Sequence, residues 1–361
     1  MMQTVSEFWD WLSDAIVTTA PCRADFAGGT LDIWPLYLFH PGAVSVNVAL
    51  NILTACRITP RAGTGIVLQS HDTAREEHFA GLDELLTAET YAHPLAAYLV
   101  RFFQPKDGFL LETFSESPAG AGISGSSALM IATAGALARF TGRKLDIEEI
   151  RVIAQNVEAQ LIRVPTGCQD YYPAMYGGVS AVHLETGGIR REPIAVPLDE
   201  VDQRFVLLYT GAPRQSGINN WAVFKQHING DEHVIRNFAE ISRIAQEMHH
   251  ALAGQQWDDV ERLMREEWNL RRTNAPGITT PLIDKLIEVA MRHGARAAKV
   301  CGAGGGGCVI VLIEEGTRQS VENAISENGG QPLNFQVARR GLTFHSAQAP
   351  ATNSQGGEPR P

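Results

Sequence analysis

The sequence has few cysteines, and they show none of the patterns that bind metals or form disulfide frameworks. Five are scattered over 361 residues, an odd number without a single Cys-x-x-Cys pair. His-Glu-x-x-His and Gly-x-Ser-x-Gly are also absent, which excludes two common hydrolase signatures. The histidine spacing predicts no zinc site. Buried, reduced thiols are expected at Cys22, Cys56, Cys168, Cys301 and Cys308.

Long hydrophobic runs and excess positive charge are lacking as well. No apolar run approaches the ~20 residues of a membrane span. The first twenty residues carry acidic but no basic side chains, unlike a secretory signal. The sequence has 30 Lys and Arg but 40 Asp and Glu, which gives a net charge of −10. A protein of this charge attracts neither nucleic acid nor anionic membranes. The sequence therefore predicts a cytoplasmic protein whose anion sites depend on local side chains, helix termini or a bound metal.

The order of predicted elements indicates an α+β protein with two domains. Helical and strand-like segments alternate irregularly, which favours α+β over a doubly wound parallel sheet. We expect one domain over residues 1–200 and a second over 201–346, because 361 residues are enough for two cores. Residues 347–361 are rich in Pro, Gly, Ser and Asn without an apolar pattern, which predicts a disordered tail.

A glycine-rich loop at residues 117–125 lies between a predicted strand at 109–114 and a predicted helix at 126–140. A helix start has unpaired N–H groups and a partial positive charge. Glycines let a phosphate approach those N–H groups without a Cβ in the way. The loop thus predicts a phosphate site, although glycine-rich turns also occur for structural reasons alone.

Two better-known phosphate loops fit this segment poorly. A Walker A loop requires lysine where Ser126 stands. The dinucleotide fingerprint requires an acidic residue at the end of a second strand, about 20 positions on. Asp146 lies near that distance, but its spacing from Glu149 indicates a capping box at a helix start. A nicotinamide-dependent oxidoreductase therefore stays open only as a weaker alternative.

The loop, Pro-x-x-x-Gly-Ile-Ser-Gly-Ser-Ser-Ala, resembles the nucleotide-binding motif of the kinase superfamily containing galactokinase, homoserine kinase, mevalonate kinase and phosphomevalonate kinase. The resemblance implies that the loop binds ATP and that a loop hydroxyl binds Mg²⁺. One departure is Gly125, where these enzymes usually carry serine. The implied nucleotide-binding residues are Pro118, Gly120, Gly122, Ser124, Gly125, Ser126 and Ser127, of which Ser126 or Ser127 would serve the metal.

An N-terminal motif lies in the turn-rich stretch that begins at Pro21. Its pattern, Arg-x-x-Phe-x-Gly-Gly-x-x-Asp, is similar to that of the heptose-phosphate kinase and fucokinase branch. The resemblance implies that Arg23 approaches the reacting oxygen or the γ-phosphate, and that Asp32 hydrogen-bonds sugar hydroxyls beside Gly28 and Gly29. Pairing of Arg23 with Asp32, which would merely tie down the turn, is the alternative.

A third motif at residues 299–308 has five glycines among its ten residues. Such a run adopts conformations closed to other residues and packs tightly on neighbouring loops. In the family it supports the phosphate loop, so we expect a structural role. Lys299, at its start, is assigned no catalytic role.

Two carboxylates between these motifs form the predicted catalytic pair. The segment around Asp170 resembles the Gly-x-Gln-Asp-Gln-Tyr of heptose-phosphate kinases, which implies a catalytic aspartate and a substrate contact at Tyr172. Glu158 lies where galactokinases place a Mg²⁺-binding glutamate. Phosphoryl transfer needs such a pair, since Mg²⁺ neutralises the phosphates and a carboxylate orients the acceptor. By itself, Glu158 would be a solvated helix residue and Asp170 a helix N-cap.

One departure concerns the substrate. Cys168 stands where the heptose-phosphate branch commonly has lysine. The lost charge weakens the case for a sugar that already carries a phosphate, although Arg163 or Arg214 could compensate.

Taken together, the motifs are identified as those of an ATP- and Mg²⁺-dependent sugar kinase that phosphorylates a hydroxyl, with the anomeric one favoured. The family likeness implies an N-terminal ribosomal-protein-S5-domain-2-like β-α-β domain and a C-terminal ferredoxin-like domain, with ATP and sugar between them. A monomer or homodimer is expected. A catalytically silent, kinase-like sugar and ATP sensor is the alternative from another class.

Overall fold

The structure, a computed structural model, describes residues 15–212 and 218–345. The predicted tail at 347–361 and Arg214 lie outside these residues. Within them the strands are β1 (Ile16–Ala27), β2 (Val44–Arg61), β3 (Ile66–Ser70), β4 (Arg75–Phe79), β5 (Gly108–Ser115), β6 (Val179–Glu185), β7 (Gly188–Pro193), β8 (Phe205–Tyr209), β9 (Ala295–Val300), β10 (Cys308–Ile313), β11 (Gln331–Leu333) and β12 (Thr343–His345).

Helices alternate irregularly with these strands, as the sequence predicts. No helix in the described ranges is both long and apolar enough to cross a bilayer. The helices are α1 (Leu82–Thr87), α2 (Pro94–Phe103), α3 (Gly125–Phe140), α4 (Ile147–Ile162), α5 (Tyr171–Tyr176), α6 (Leu198–Arg204), α7 (Ile218–Ile228), α8 (Glu232–Ala253), α9 (Trp257–Arg271), α10 (Pro281–Arg292) and α11 (Arg318–Glu327), with a short 3-10 helix at Leu36–Phe39.

The strands form two sheets, which confirms the α+β class. The first sheet has the order β12-β1-β2-β5-β3-β4, and β6 pairs with both β2 and β7. The second has the order β11-β8-β10-β9 and is antiparallel throughout. Helix α3 lies against β1 and β2, and most of its buried residues are small, with five alanines among them, which allows close approach.

The first of two differences from the sequence-based expectation concerns β1. The stretch from Pro21 to Ala27 was expected to be turn-rich, yet it completes this strand. The register with β2 shifts between Pro21 and Cys22, and a proline is tolerated in a strand at such a bulge. Arg23 and Asp25 are both buried here, so their charges hid the strand from an apolar pattern.

The second difference concerns residues 343–345, which the sequence assigned to the second domain. They form β12 and pair antiparallel with β1 of the first sheet. A strand of three residues is too short to show an alternating pattern. The boundary near residue 200 stays a prediction, although β7 ends at Pro193 and the second sheet begins at Phe205.

At Asp146 the structure agrees with the sequence-based expectation. Its carboxylate accepts the Glu149 N–H at 2.8 Å, and the Glu149 carboxylate accepts the Asp146 N–H at 2.8 Å. This capping box opens α4, and α3 precedes it. The acidic residue therefore does not end a second strand, and the dinucleotide-binding interpretation loses its support.

Candidate active site

Two cavities meet at the start of α3. One, of about 230 Å³, is lined by Arg23, Gly29 and Asp32 of the N-terminal motif and by the predicted pair Glu158 and Asp170. The other, of about 670 Å³, runs along the glycine loop from Pro118 to Ser126. Ser124, Ser126 and Leu95 line both. A ligand in the second cavity can therefore present one end to a ligand in the first.

The glycine loop has the backbone that an anion cradle requires. Gly120 and Gly122 adopt positive φ angles of 68° and 75°, and Ser124 itself lies in the left-handed region at φ 62°. Such a conformation is uncommon for a residue with a side chain. The Ser124 hydroxyl is buried without a hydrogen-bond partner, and helix α3 begins at the next residue. A hydroxyl of this kind and the free N–H groups of the first turn fit a phosphate.

The glycine run of the third motif packs against this loop, as its expected structural role requires. A Cβ on Gly307 would lie 2.5 Å from the carbonyl oxygen of Ala121. The N–H of Cys308 donates to the same oxygen at 2.6 Å. The loop therefore depends on a segment nearly two hundred residues away.

The Glu158 carboxylate accepts hydrogen bonds from hydroxyl groups of three segments. Its carboxylate accepts hydrogen bonds from Ser126 at 3.2 Å, Ser127 at 3.3 Å and Thr166 at 3.3 Å. Tyr171 donates a short hydrogen bond to it as well. Burial raises the pKa of the Glu158 carboxyl above its usual value. This is not a solvated helix residue, and a carboxylate among hydroxyl oxygens is a donor set that suits Mg²⁺.

Asp170 is held by Arg23 rather than by a helix end. Arg23 donates from Nε at 2.8 Å and from Nη2 at 2.6 Å to the same oxygen of Asp170. The Asp170 side chain makes no capping bond to α5. It is 29% exposed, whereas Arg23 is 2% exposed, so the carboxylate faces the cavity and the guanidinium lies behind it. Arg23 also donates to the Gly122 carbonyl at 3.0 Å, which joins Asp170 to the glycine loop.

Asp32 lies in the same cavity, 3% exposed and not paired with Arg23. Its carboxylate accepts the Gln169 N–H at 2.9 Å and the Gln169 side-chain amide at 3.4 Å. Burial and the nearby charge of Asp170 raise the pKa of Asp32 to about 6. The space for this carboxylate exists because residue 167 is glycine, where a Cβ would lie 1.9 Å from an oxygen of Asp32.

Two predicted substrate residues do not line the cavity. Gly28 has φ 82° and packs on β2, where a Cβ would lie 2.1 Å from the Val44 carbonyl oxygen, whereas Gly29 does line the cavity. Tyr172 is buried in the core, and its hydroxyl donates to Glu148 at 3.2 Å. On a helix, neighbouring residues point in different directions, and it is Tyr171 that faces Glu158.

The sequence analysis missed several residues that line the cavity. Gln169 adjoins Asp170 within the quoted motif and could have been included. Thr30 holds an unspecified position of the N-terminal motif, whereas Asn220 and Arg271 carry no motif and come from α7 and α9, close to two hundred residues or more along the chain. Their positions depend on packing alone.

A buried network of charges, also missed, joins the two sheets behind the cavity. Lys299 of β9 is fully buried and contacts the carboxylates of Asp25 at 2.5 Å and Glu267 at 3.4 Å. Arg271 donates to Glu267 at 2.7 Å and to the Gly29 carbonyl at 2.8 Å. Although burial opposes ionisation, Lys299 and the neighbouring arginines hold the pKa of Asp25 well below its usual value. Lys299 is therefore not a strand-end surface charge.

Replacing Lys299 by methionine is expected to destabilise the protein by about 3–5 kcal/mol, because two carboxylates would lose a buried cation. Denaturant unfolding checks this, with Lys285→Met as the control. Lys285 is an exposed lysine of α10, so its variant should stay within about 0.5 kcal/mol of the parent. Equal stability of the two variants would contradict the interpretation of the network.

Comparison with known proteins identifies the family. Residues 90–178 match the GHMP kinases N terminal domain, and residues 248–331 match GHMP kinases C terminal. The first range contains the glycine loop, Glu158 and Asp170, and the second contains Lys299 and the glycine run. The chain belongs to the GHMP kinase family. It is therefore an ATP-dependent small-molecule kinase.

Among the relatives of this kinase is a D-glycero-alpha-D-manno-heptose 7-phosphate kinase from Campylobacter jejuni, 24% identical over 91% of this chain and 98% of the relative. A bifunctional fucokinase/GDP-fucose pyrophosphorylase from Arabidopsis thaliana is 26% identical over 82% of this chain but only 29% of its own length. A galactokinase from Lactococcus lactis, solved with galactose, superposes with a TM-score of 0.78 at 18% identity, covering 91% of this chain and 95% of that one. At that identity the galactokinase shows the fold alone.

Proposed function

We propose that this kinase transfers the γ-phosphate of ATP to a hydroxyl, the anomeric one, of a sugar that carries no phosphate. The observation that supports the transfer is the meeting of two cavities at Ser124 and Ser126, with Asp170 beside that junction. ATP lies along the glycine loop and the sugar lies against Asp32 and Asp170. The anomeric position rests on the likeness to fucokinase, galactokinase and heptose-phosphate kinase.

In the proposed reaction, Asp170 accepts a hydrogen bond from the reacting hydroxyl and takes its proton. The hydroxyl oxygen then bonds to the γ-phosphorus while the bond to the ADP oxygen breaks. Arg23 holds Asp170 in place, because both of its donors reach one oxygen and leave the other to the cavity. Asp32 accepts hydrogen bonds from other sugar hydroxyls and so selects the orientation of the ring.

Mg²⁺ fits at Glu158, where the hydroxyls of Ser126, Ser127 and Thr166 surround a buried carboxylate. When bound, the ion would neutralise phosphate charge. The family likeness gives this role to Glu158 and to Ser126 or Ser127. A cytoplasmic location and a monomeric or homodimeric state stay predictions from the sequence.

The preference for an unphosphorylated sugar rests on the cations of the cavity. Among the described residues that line it, Arg23 and Arg271 are the basic ones, and both are committed to protein carboxylates. Cys168, which replaces the lysine of the heptose-phosphate branch, is fully buried among apolar side chains. Arg163 is exposed at the end of α4. Among the described residues that line the cavity, a sugar phosphate would find no uncommitted cation.

The deciding experiment measures ADP release with MgATP over a sugar panel of galactose, fucose, arabinose, glucuronate, mannose and heptose 7-phosphate. We expect kcat/KM for at least one unphosphorylated sugar to exceed that for heptose 7-phosphate by tenfold or more. Release with heptose 7-phosphate alone would overturn the preference, and its loss in Arg214→Ala would then locate the phosphate contact. ATP binding without release for any sugar would favour the sensor, and NADH binding in place of ATP would favour an oxidoreductase.

A further inference from the structure

A second cluster of polar side chains lies away from both cavities, on the hairpin of β6 and β7 and on helix α8. It consists of His183, Glu192 and His249, and it is the one group of three potential metal ligands found among residues 15–212 and 218–345. None of the three lines the substrate or nucleotide cavity. The active site therefore does not account for them.

The strand register places two of the three side chains next to each other. In the hairpin, His183 pairs with Arg190 and Ala181 pairs with Glu192, so His183 and Glu192 are diagonal neighbours on one face of the sheet. Helix α8 brings His249 to the same face, with its ring centroid 5.5 Å from that of His183. Side chains from three elements thus converge, which the sequence spacing could not indicate.

The distances between the ligand atoms suit a tetrahedral metal ion. Nε2 of His183 lies 3.0 Å from one oxygen of Glu192, and Nε2 of His249 lies 3.4 Å from the other. One ligand atom from each of the three residues falls within 4.8 Å of the others. Ligands bound about 2.0–2.1 Å from a tetrahedral Zn²⁺ are about 3.3 Å apart. Small shifts of these side chains would therefore bring the three ligand atoms to the distances of a tetrahedral site.

We propose that His183, Glu192 and His249 bind one divalent transition-metal ion, Zn²⁺ in preference to Mg²⁺, with water in the fourth position. Two imidazole nitrogens favour zinc over magnesium and calcium, which prefer oxygen ligands. The side chains are 20%, 42% and 12% exposed, so an ion can enter. Because the ligands come from the hairpin and from α8, the ion links these two parts of the fold.

Arg190 is the competing partner of this site. Its Nη1 lies 3.1 Å from the Glu192 oxygen that also faces His183. The Arg190 side chain is 54% exposed and is held by surface carboxylates alone, so it can move into solvent when the metal binds. The alternative is a hydrogen-bonded His–Glu–His group without a metal function.

Zinc binding to the full chain, prepared without a polyhistidine tag and freed of metal, tests the proposal. Competition with a chromophoric chelator should give one Zn²⁺ per chain. His183→Asn, His249→Asn and Glu192→Gln should each weaken binding at least tenfold. His71→Asn should bind like the parent, because His71 contacts Glu112 at 3.0 Å in a similar pair that has no second histidine.

Two further readouts separate loss of ligands from loss of folding and from binding by thiols. Zn²⁺ should raise Tm for the parent and His71→Asn but not for His249→Asn, since only the folded site binds. Co²⁺ should give visible d–d absorption without a thiolate charge-transfer band, because the ligands are nitrogen and oxygen. No stoichiometric binding, equal affinity in all variants, or a thiolate band would each overturn the proposal.

Discussion

Asp170→Asn is expected to lower kcat by about 10²–10⁴-fold while ATP binding stays within threefold of the parent, an outcome that ADP-release kinetics and a nucleotide titration would measure. Asparagine keeps an oxygen that can accept the two Arg23 hydrogen bonds, so the geometry behind the cavity is preserved. What it loses is the ability to take the hydroxyl proton. The variant therefore separates chemistry from binding.

The matched control is Asp107→Asn, which removes the charge of an exposed aspartate far from Asp170 in sequence. It should leave kcat unchanged. If Asp170→Asn kept more than a tenth of the parent kcat, Asp170 would be a positioning group and the proton would go elsewhere. Equal loss in both variants would indicate a general effect of charge.

Gly167→Ala is expected to lower kcat/KM for the sugar by about 10²-fold, a magnitude typical of a catalytic or binding group displaced by about 1 Å. The added Cβ would lie 1.9 Å from one oxygen of Asp32 and 2.5 Å from its Cγ, so the carboxylate must leave its place. The glycine loop is not touched, and KM for ATP should not change. Steady-state kinetics in each substrate in turn would check this.

Gly187→Ala is the control, because its backbone is ordinary and no heavy atom lies within 4 Å of the added Cβ. Its kinetics should match those of the parent. Circular dichroism would show that Gly167→Ala remains folded. Unchanged sugar kinetics in folded Gly167→Ala would remove Asp32 from the substrate site, since Asp32 cannot occupy its present position in that variant.

These two predictions depend on how the carboxylates of Asp170 and Asp32 are held in the cavity. Asp170 and Asp32 each occupy a defined position through contacts with other segments, Arg23 for the first and Gln169 for the second. Preorganised groups need little rearrangement during the reaction. We therefore expect substitutions that disturb the supports of these carboxylates to reduce activity nearly as much as substitutions of the carboxylates themselves.

Local patterns in the sequence were sufficient to predict several features of the fold and of the candidate site. The phosphate loop could be predicted because its glycines and hydroxyls are contiguous, and the capping box at Asp146 because its residues are three apart. The α+β class followed from the order of elements. The strand from Pro21 to Ala27 was missed because buried charges and a proline at a bulge interrupt its apolar pattern.

Contacts between distant segments decided the rest. Arg23 and Asp170 are 147 residues apart, and Asp25 and Lys299 are 274 apart, so no spacing rule could pair them. The same holds for His183, Glu192 and His249, whose cluster the histidine spacing did not predict. The rotation of α5 decided that Tyr171, and not Tyr172, faces Glu158.

The sequence by itself thus determined the family of motifs, their order and the candidate carboxylates, because glycine turns, helix caps and loop hydroxyls act over a few residues. Only the tertiary structure decided that Lys299 is a buried partner of Asp25 and that Arg23 supports Asp170 instead of pairing with Asp32. The physical reason is that a buried charge takes whichever opposite charge the packing of strands and helices brings to it. That packing is set by the whole core, not by the neighbours in the chain.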